Sequence, residues 1–337
     1  MKTELLSTQT PSLFAAAVQR AAERLRAGEV VALPTETVYG LAANALDATA
    51  VAKIFSVKGR PAHNPIIVHV ASLAMAQACG QGWPGLADRL AKAFWPGPLT
   101  LVLSRAEIIS DVVTAGGGTV GIRWPGHPFM QAVIRACGFP LAAPSANLSN
   151  QVSPTNAAHV RAQLDGKISL IVDGGQSQVG IESTVLDLTV TPPRLLRPGM
   201  IHAEALAAVC GAVQSHDAKP KYPGSRLRSP GMLTRHYSPQ AKLVVLNWRD
   251  DADLHRQIRD SQLAIRDCFV IAHTQIPGGF GAANVSVIPH DAEAFARALY
   301  AELHRCDAAG AQLIIVEAPP DLPEWSGIVD RLRRAAA

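Results

Sequence analysis

Between Ala218 and Leu243 the chain carries Pro220, Pro223, Gly224, Pro230, Gly231 and Pro239, a spacing that interrupts any regular element. Proline fixes φ and removes a backbone donor, and glycine adds backbone freedom, so the stretch reads as a linker. Six Lys or Arg and no acid occur in it. A chain of 337 residues cut at this point has two parts, each able to bury a core of its own. The predicted organisation is a larger domain at 1–210, a basic linker at 211–240 and a small domain at 241–337.

Both parts read as α/β. Apolar periodicity predicts a helix from Ser12 to Ala27, stopped by Gly28, and "EVVALPT" then predicts a strand running into a turn at Pro34. A second helix is expected from Asp47 to Val57, followed by the loop "KGRPAHNP" and the β-branched strand "PIIVHV". Further strands are expected at Leu99–Leu103, Val120–Trp124, Leu141–Ala143, Leu170–Val172 and Thr184–Leu188, giving one twisted mixed sheet with helical cover. Beyond the linker, "AKLVVLN", "DCFVIAH", "NVSVIPH" and "AQLIIVEAP" alternate with helical stretches such as Ala292–Cys306. That is the pattern of a small Rossmann-like α/β domain.

The total charge of +4 is too mild for a general polyanion-coating protein, but its distribution is uneven. No acid occurs between Asp47 and Asp88 or between Asp111 and Asp165, while Lys53, Lys58, Arg60, Arg123, Arg135 and Arg161 lie in those gaps. Anion binding follows as an expectation. The five cysteines are scattered with no C-x-x-C pair, as for buried thiols in a reducing compartment. The amino terminus reaches only a short apolar stretch before Arg20, so neither a secretory signal nor a membrane span is read and a cytoplasmic protein is expected.

The candidate chemistry lies in loops. In "KGRPAHNP" Arg60 offers a planar fork suited to phosphate, Lys58 a point charge, and two prolines limit the loop's freedom; a solvated basic turn fits the same residues. His69 in "PIIVHV" fits a ligand contact or a satisfied core residue. "PTETVYG" would place the hydroxyls of Thr35, Thr37 and Tyr39 on one face of an extended segment. "GGGTVG" at 116–121 matches G-x-G-x-x-G in form only, because a strand follows it and no acid appears before Asp165. No Walker loop, H-E-x-x-H or close Cys/His cluster is present, so no protein-held metal is expected, and Mg²⁺ would arrive with phosphate. No G-x-S-x-G surrounds a serine, which disfavours an acyl-enzyme.

Taken in order, "LPTETVYGL", "KGRPAHNPIIVHV", "WPGPLTLVL", "VGIRWPGHP", "APSANLSNQVSPT", "GIESTVLDL" and "LLRPGMI" resemble the YrdC-like threonylcarbamoyl-adenylate synthases. The resemblance spans about residues 12 to 205, and "SPGMLTRHYSP" with the small domain resembles the family's two-domain form. It implies a YrdC-like sheet and a nucleotidyltransferase that joins L-threonine, bicarbonate and ATP into threonylcarbamoyl-AMP and pyrophosphate, for modification of tRNA adenosine beside the anticodon. It further implies threonine contacts at Thr37, His69, Arg123, Ala143 (through its backbone) and Ser183. ATP contacts are implied at Arg60, Asn64, Thr119, Ser145, Ser153, Arg197 and, from the linker, Tyr237, with Lys58 and Arg60 catalytic beside the phosphates and Lys53 extending the basic cluster. A downstream threonylcarbamoyl transferase is the expected partner, and tRNA contact is compatible. Two other classes stay open at this level: an RNA-binding module without chemistry, and carbamoyl transfer in metallocentre maturation, against which the missing zinc-finger cysteines count.

Overall fold

The computed structural model describes residues 2–215, 236–260 and 267–337. These form two compact units: 2–149 with 153–215, and 150–152 with 236–260 and 267–337. The linker expectation at 211–240 falls largely on 216–235, outside the described residues.

The first unit is built on a mixed sheet of twelve strands. From one edge it runs Glu4–Ser7, Leu170–Asp173, Val31–Leu33, Gly40–Asn44, Leu141–Ala142, Val68–His69, Thr119–Arg123, Leu99–Arg105, Thr184–Asp187, Arg194–Arg197 and Gln214–Ser215, with Gly80–Gln81 pairing beside Leu99–Arg105. Strand alternation sorts side chains to two apolar layers. Val31, Leu33, Leu170 and Val172 join Phe129, Val133 and Ile134 on one face, while Ala32 and Ile171 join Ile54, Leu90 and Leu101 on the other.

The helices begin and end where local chemistry directs. Thr10 caps Pro11–Arg26 by accepting from the Leu13 N–H, Pro11 occupies a position with no donor to satisfy, and Arg24 and Arg26 face the negative end. Phe14 then meets Phe129 edge to face at 5.1 Å, fixing this helix against Pro128–Cys137. Asp47 caps Ala48–Lys58, which ends at Gly59 in the left-handed conformation (φ 60°, ψ 36°). A side chain there would be strained, and the glycine turns the chain sharply between Lys58 and Arg60.

Four segments depart from expectation. "PIIVHV" is buried, yet only Val68–His69 pairs as a strand; Ile66 donates to Val113 O and Ile67 accepts from the Ala143 N–H, so its bonds go to loops. "PTETVYG" is not extended: Thr35 Oγ1 donates to Val38 O at 2.6 Å and lies 3.0 Å from Thr37 Oγ1, closing a turn. Its third hydroxyl, on Tyr39, leaves the group to donate to Gly175 O. The strands Glu4–Ser7 and Gly40–Asn44 escape the sequence reading, the first because it is short and partly exposed, the second because "GLAAN" lacks β-branched residues.

The second unit carries a four-stranded, fully parallel sheet in the order Lys242–Leu246, Leu313–Glu317, Cys268–Ala272, Val285–Val287. The helix Ala292–Ala308 buries Phe295, Leu299, Tyr300 and Leu303. Tyr237, at φ +63°, is buried in this unit with its ring 5.9 Å from that of Tyr300 and 5.3 Å from the Arg331 guanidinium. Among the described residues no helix is long and apolar enough to cross a membrane.

Candidate active site

Parallel pairing of Val68–His69 with Thr119–Arg123 sets His69 directly beside Arg123, although 54 positions separate them in sequence. Neighbours in register project to the same face. Both are buried. Arg123 donates from Nη1 to Thr37 Oγ1 at 2.9 Å and from Nε to Gly97 O at 3.2 Å, and its Nη2 lies 2.6 Å from Glu36 Oε1. The turn carrying Glu36 and Thr37 is pinned by Val179 N–H and Gly180 N–H, which donate to Glu36 O and Thr37 O. Burial and the charge of Arg123 push the His69 imidazole down to about 3, so it is neutral at physiological pH. Burial pushes the Glu36 carboxyl up, but Arg123 and the Gly126 N–H outweigh it and hold the group ionised. Ala143 gives its N–H to Ile67 O at 3.1 Å.

Ser183 sits where the chain enters Thr184–Asp187. Its Oγ lies 2.8 Å from Thr100 Oγ1, and Arg197 donates to it at 3.1 Å and to its carbonyl from Nε at 3.0 Å and Nη2 at 2.9 Å. The turn after Arg197 approaches so closely that a Cβ on Gly199 would lie 2.7 Å from Thr184 N, 2.8 Å from its Oγ1 and 2.9 Å from Glu182 O. Glycine at 199 thus permits the contact that holds Arg197 on Ser183. Thr119 lines a cavity with Thr100, Thr114 and Gly121, next to this group.

Lys58 and Arg60 flank Gly59 and are both buried. Arg60 donates from Nε to Asn64 O at 3.1 Å and from Nη2 to Pro65 O at 2.7 Å, which closes the loop on itself. Asn64 is buried with its Oδ1 lacking a hydrogen-bond partner. Lys58 Nζ donates to Ser145 O, Asn147 O and, at 3.1 Å, Asn147 Oδ1. It is therefore a tie to the 145–147 turn as well as a charge. Burial pushes its ammonium well down, Arg60 adds to this and Glu182 opposes it. Three acceptors around one Nζ nonetheless call for three N–H donors, which only the charged form has. Ser153, fully buried, donates to Glu182 Oε1 at 2.6 Å.

Thr37, His69, Arg123, Ala143, Ser183 and Arg197 thus gather around adjoining strand ends, with Lys58, Arg60, Asn64, Ser145 and Ser153 on the loops beside them. Lys53 does not join them: it is exposed, donates to Gly28 O and lines a separate pocket with Lys2, Arg24, Glu29 and Lys167. Helical periodicity explains this, since positions 53 and 58 point to different sides of Ala48–Lys58. Tyr237 belongs to the second unit. The sequence reading missed Glu36, Asn147 and Thr100. Glu36 had a signal, being the one acid between Glu29 and Asp47. Among the described residues no group of three His, Cys, Asp or Glu is arranged to hold a metal ion.

A family model named Sua5_yciO_yrdC and described as "Telomere recombination" matches residues 23–199, and one described as "Threonylcarbamoyl-AMP synthase, C-terminal domain" matches 201–337. The threonylcarbamoyl-AMP synthase of Bacillus subtilis is 42% identical over 337 residues, covering 99% of this chain and 95% of its own. That of Pyrococcus abyssi is 40% identical over 319 residues, covering 95% and 94%. The crystal structure of P. abyssi Sua5 complexed with L-threonine superposes with a TM-score of 0.89 at 37% identity, covering 100% of this chain and 98% of that one. With two family models in tandem, near-complete coverage and one shared fold, the chain belongs to the Sua5/YciO/YrdC family, in the form that carries the threonylcarbamoyl-AMP synthase C-terminal domain.

Proposed function

We propose that the protein is an L-threonylcarbamoyladenylate synthase, a nucleotidyltransferase that converts L-threonine, bicarbonate and ATP to threonylcarbamoyl-AMP and pyrophosphate. The observation that carries this reading is the buried set of Arg123, Thr37 and His69 beside buried Arg197, Arg60 and Lys58. Arg123 and the neutral His69 suit an amino acid's carboxylate and hydroxyl, and the remaining cations suit a triphosphate.

The neutral threonine amine adds to the CO₂ that bicarbonate yields on losing hydroxide, the proton lost by the amine combining with that hydroxide as water; the carbamate oxygen then attacks the α-phosphorus of ATP, with pyrophosphate leaving. Both reactants are anions. At 4 Å two unit charges repel by about 4 kcal/mol at an effective dielectric of 20. Cations fixed before reaction lower that barrier without reorganising. Gly59 and the Arg60 bonds to Asn64 O and Pro65 O fix the loop, and Gly199 fixes Arg197. Any Mg²⁺ would come as part of the ATP substrate and would neutralise phosphate charge alongside Lys58, Arg60 and Arg197. The adenylate is labile in water, so it passes to a threonylcarbamoyl transferase that modifies tRNA in the cytoplasm.

Pyrophosphate release with each reactant omitted in turn, together with mass detection of threonylcarbamoyl-AMP, tests the reading. Release should require threonine, bicarbonate and ATP together. Release independent of threonine, or threonine-insensitive binding to RNA alone, would overturn it.

A further inference from the structure

Glu36 is a partly buried residue, with both carboxylate oxygens out of solvent, inside the cluster assigned above to the amino acid, and the reactions derived so far give it no task. Its Oε1 is ion-paired with Arg123 Nη2 at 2.6 Å and the Gly126 N–H also steadies the carboxylate, yet these contacts are poorly aligned and leave both carboxylate oxygens and Nη2 short of a full hydrogen bond. The other bonds of Arg123 go to Thr37 Oγ1 and Gly97 O. Buried charged groups are nearly always fully hydrogen-bonded, so remaining donor and acceptor capacity in such a pair can be used by a ligand of matching charge. Here the unmet set is one donor face on a cation and two acceptors on an anion, side by side.

An α-amino acid zwitterion supplies the complement: a carboxylate for Arg123 and an ammonium for Glu36. Charge balance agrees, because the ionised pair is neutral and a zwitterion adds no net charge to a site out of water. Among the described side chains of this cluster, Glu36 is the carboxylate that stands beside Arg123. His69 is neutral, Thr37 and Ser183 carry hydroxyls, and Glu182 accepts from Ser153 beside Lys58 and Arg60.

We propose that Glu36 binds the ammonium of the incoming amino acid and so selects an amino acid over its deaminated counterpart. This rests on the reading that threonine occupies this cluster. The ammonium gives up a proton before its nitrogen adds to CO₂, so Glu36 acts on the amino acid as it binds and not as it reacts.

The test compares L-threonine with 3-hydroxybutyrate, which keeps the carboxylate and hydroxyl but lacks the amine, by titration calorimetry on the full chain. Glu36→Gln should weaken threonine about 10- to 100-fold, as for a lost charge-assisted bond. The same variant should bind 3-hydroxybutyrate no more weakly, because a like charge has been removed. If Glu36 merely supports Arg123, both ligands weaken alike; that result, or unchanged threonine affinity, overturns the inference. Should Glu36→Gln fail to fold, Glu36→Asp keeps the charge but withdraws it, and must weaken threonine more than 3-hydroxybutyrate. Arg123→Lys is the control: if it leaves threonine affinity intact, the site reading itself has failed, whereas if it weakens both ligands while Glu36→Gln does so equally, only this inference has.

Discussion

Replacing His69 by Gln isolates one consequence of its burial. The imidazole is pushed from an ordinary 6.5 down to about 3 by burial and by Arg123. In the unfolded chain it takes a proton below 6.5, while in the folded protein it resists until about 3. The depressed value means that this contribution to stability is fully present above 6.5 and declines as pH falls toward 3, by about 1.4 kcal/mol per unit. At pH 4.5 the loss reaches about 2.7 kcal/mol, and it changes little if the folded value is nearer 4 than 3, because the folded ring is neutral either way. Glutamine keeps a polar side chain and cannot titrate. Equilibrium urea unfolding at pH 7.5 and 4.5 should therefore show the parent protein losing about 2–3 kcal/mol more than His69→Gln. The Glu36–Arg123 pair and the surface carboxylates are common to both proteins and cancel. Equal losses would mean that His69 takes up its proton in the folded state as readily as in the unfolded chain, and the depression assigned to burial and Arg123 would be wrong.

Other perturbations test separate parts of the site. Arg60→Ala removes a buried charge and two loop-closing bonds, so kcat/KM for ATP should fall about 10- to 100-fold in a pyrophosphate-release assay; unchanged kinetics would remove Arg60 from the reaction. Lys58→Met strands the Ser145 and Asn147 carbonyls, and should lower unfolding stability by about 1–3 kcal/mol together with turnover; loss of turnover at full stability would contradict its role as a tie. Gly199→Ala drives a methyl to within 2.7–2.9 Å of Glu182 and Thr184, which should cost about 1–3 kcal/mol of stability and raise KM for ATP through Arg197. A variant with parental midpoint and KM would show that this turn does not position Arg197. Arg123→Lys keeps the charge beside Glu36 but cannot serve Thr37 and Gly97 together, so KM for threonine should rise about 10- to 100-fold while KM for ATP holds.

What was legible in the sequence was local. Apolar periodicity places helices over 12–27 and 47–57, Gly28 marks the stop of the first, and the apolar run at 30–33 reads as a strand before any partner is known. The basic loop at 58–65 and the hydroxyl-rich turn at 35–39 stand out by composition. Their actual bonding did not follow from composition, because it depends on distant carbonyls: Lys58 reaches residues 145 and 147, and Tyr39 reaches 175. Lys53, equally basic and five residues away, faces another side of the same helix.

The sequence by itself determined that there are two α/β parts, where three of the helices lie, and which segments carry cations with no acid nearby. Tertiary structure alone decided that His69 lies beside Arg123, that Glu36 rather than solvent faces that guanidinium, and that Ser183 holds Arg197. Caps, periodicity and turn chemistry act within a few residues and leave their mark on adjacent letters. Strand neighbours are chosen by how the whole apolar surface can be buried at once, and no short stretch of chain contains that choice.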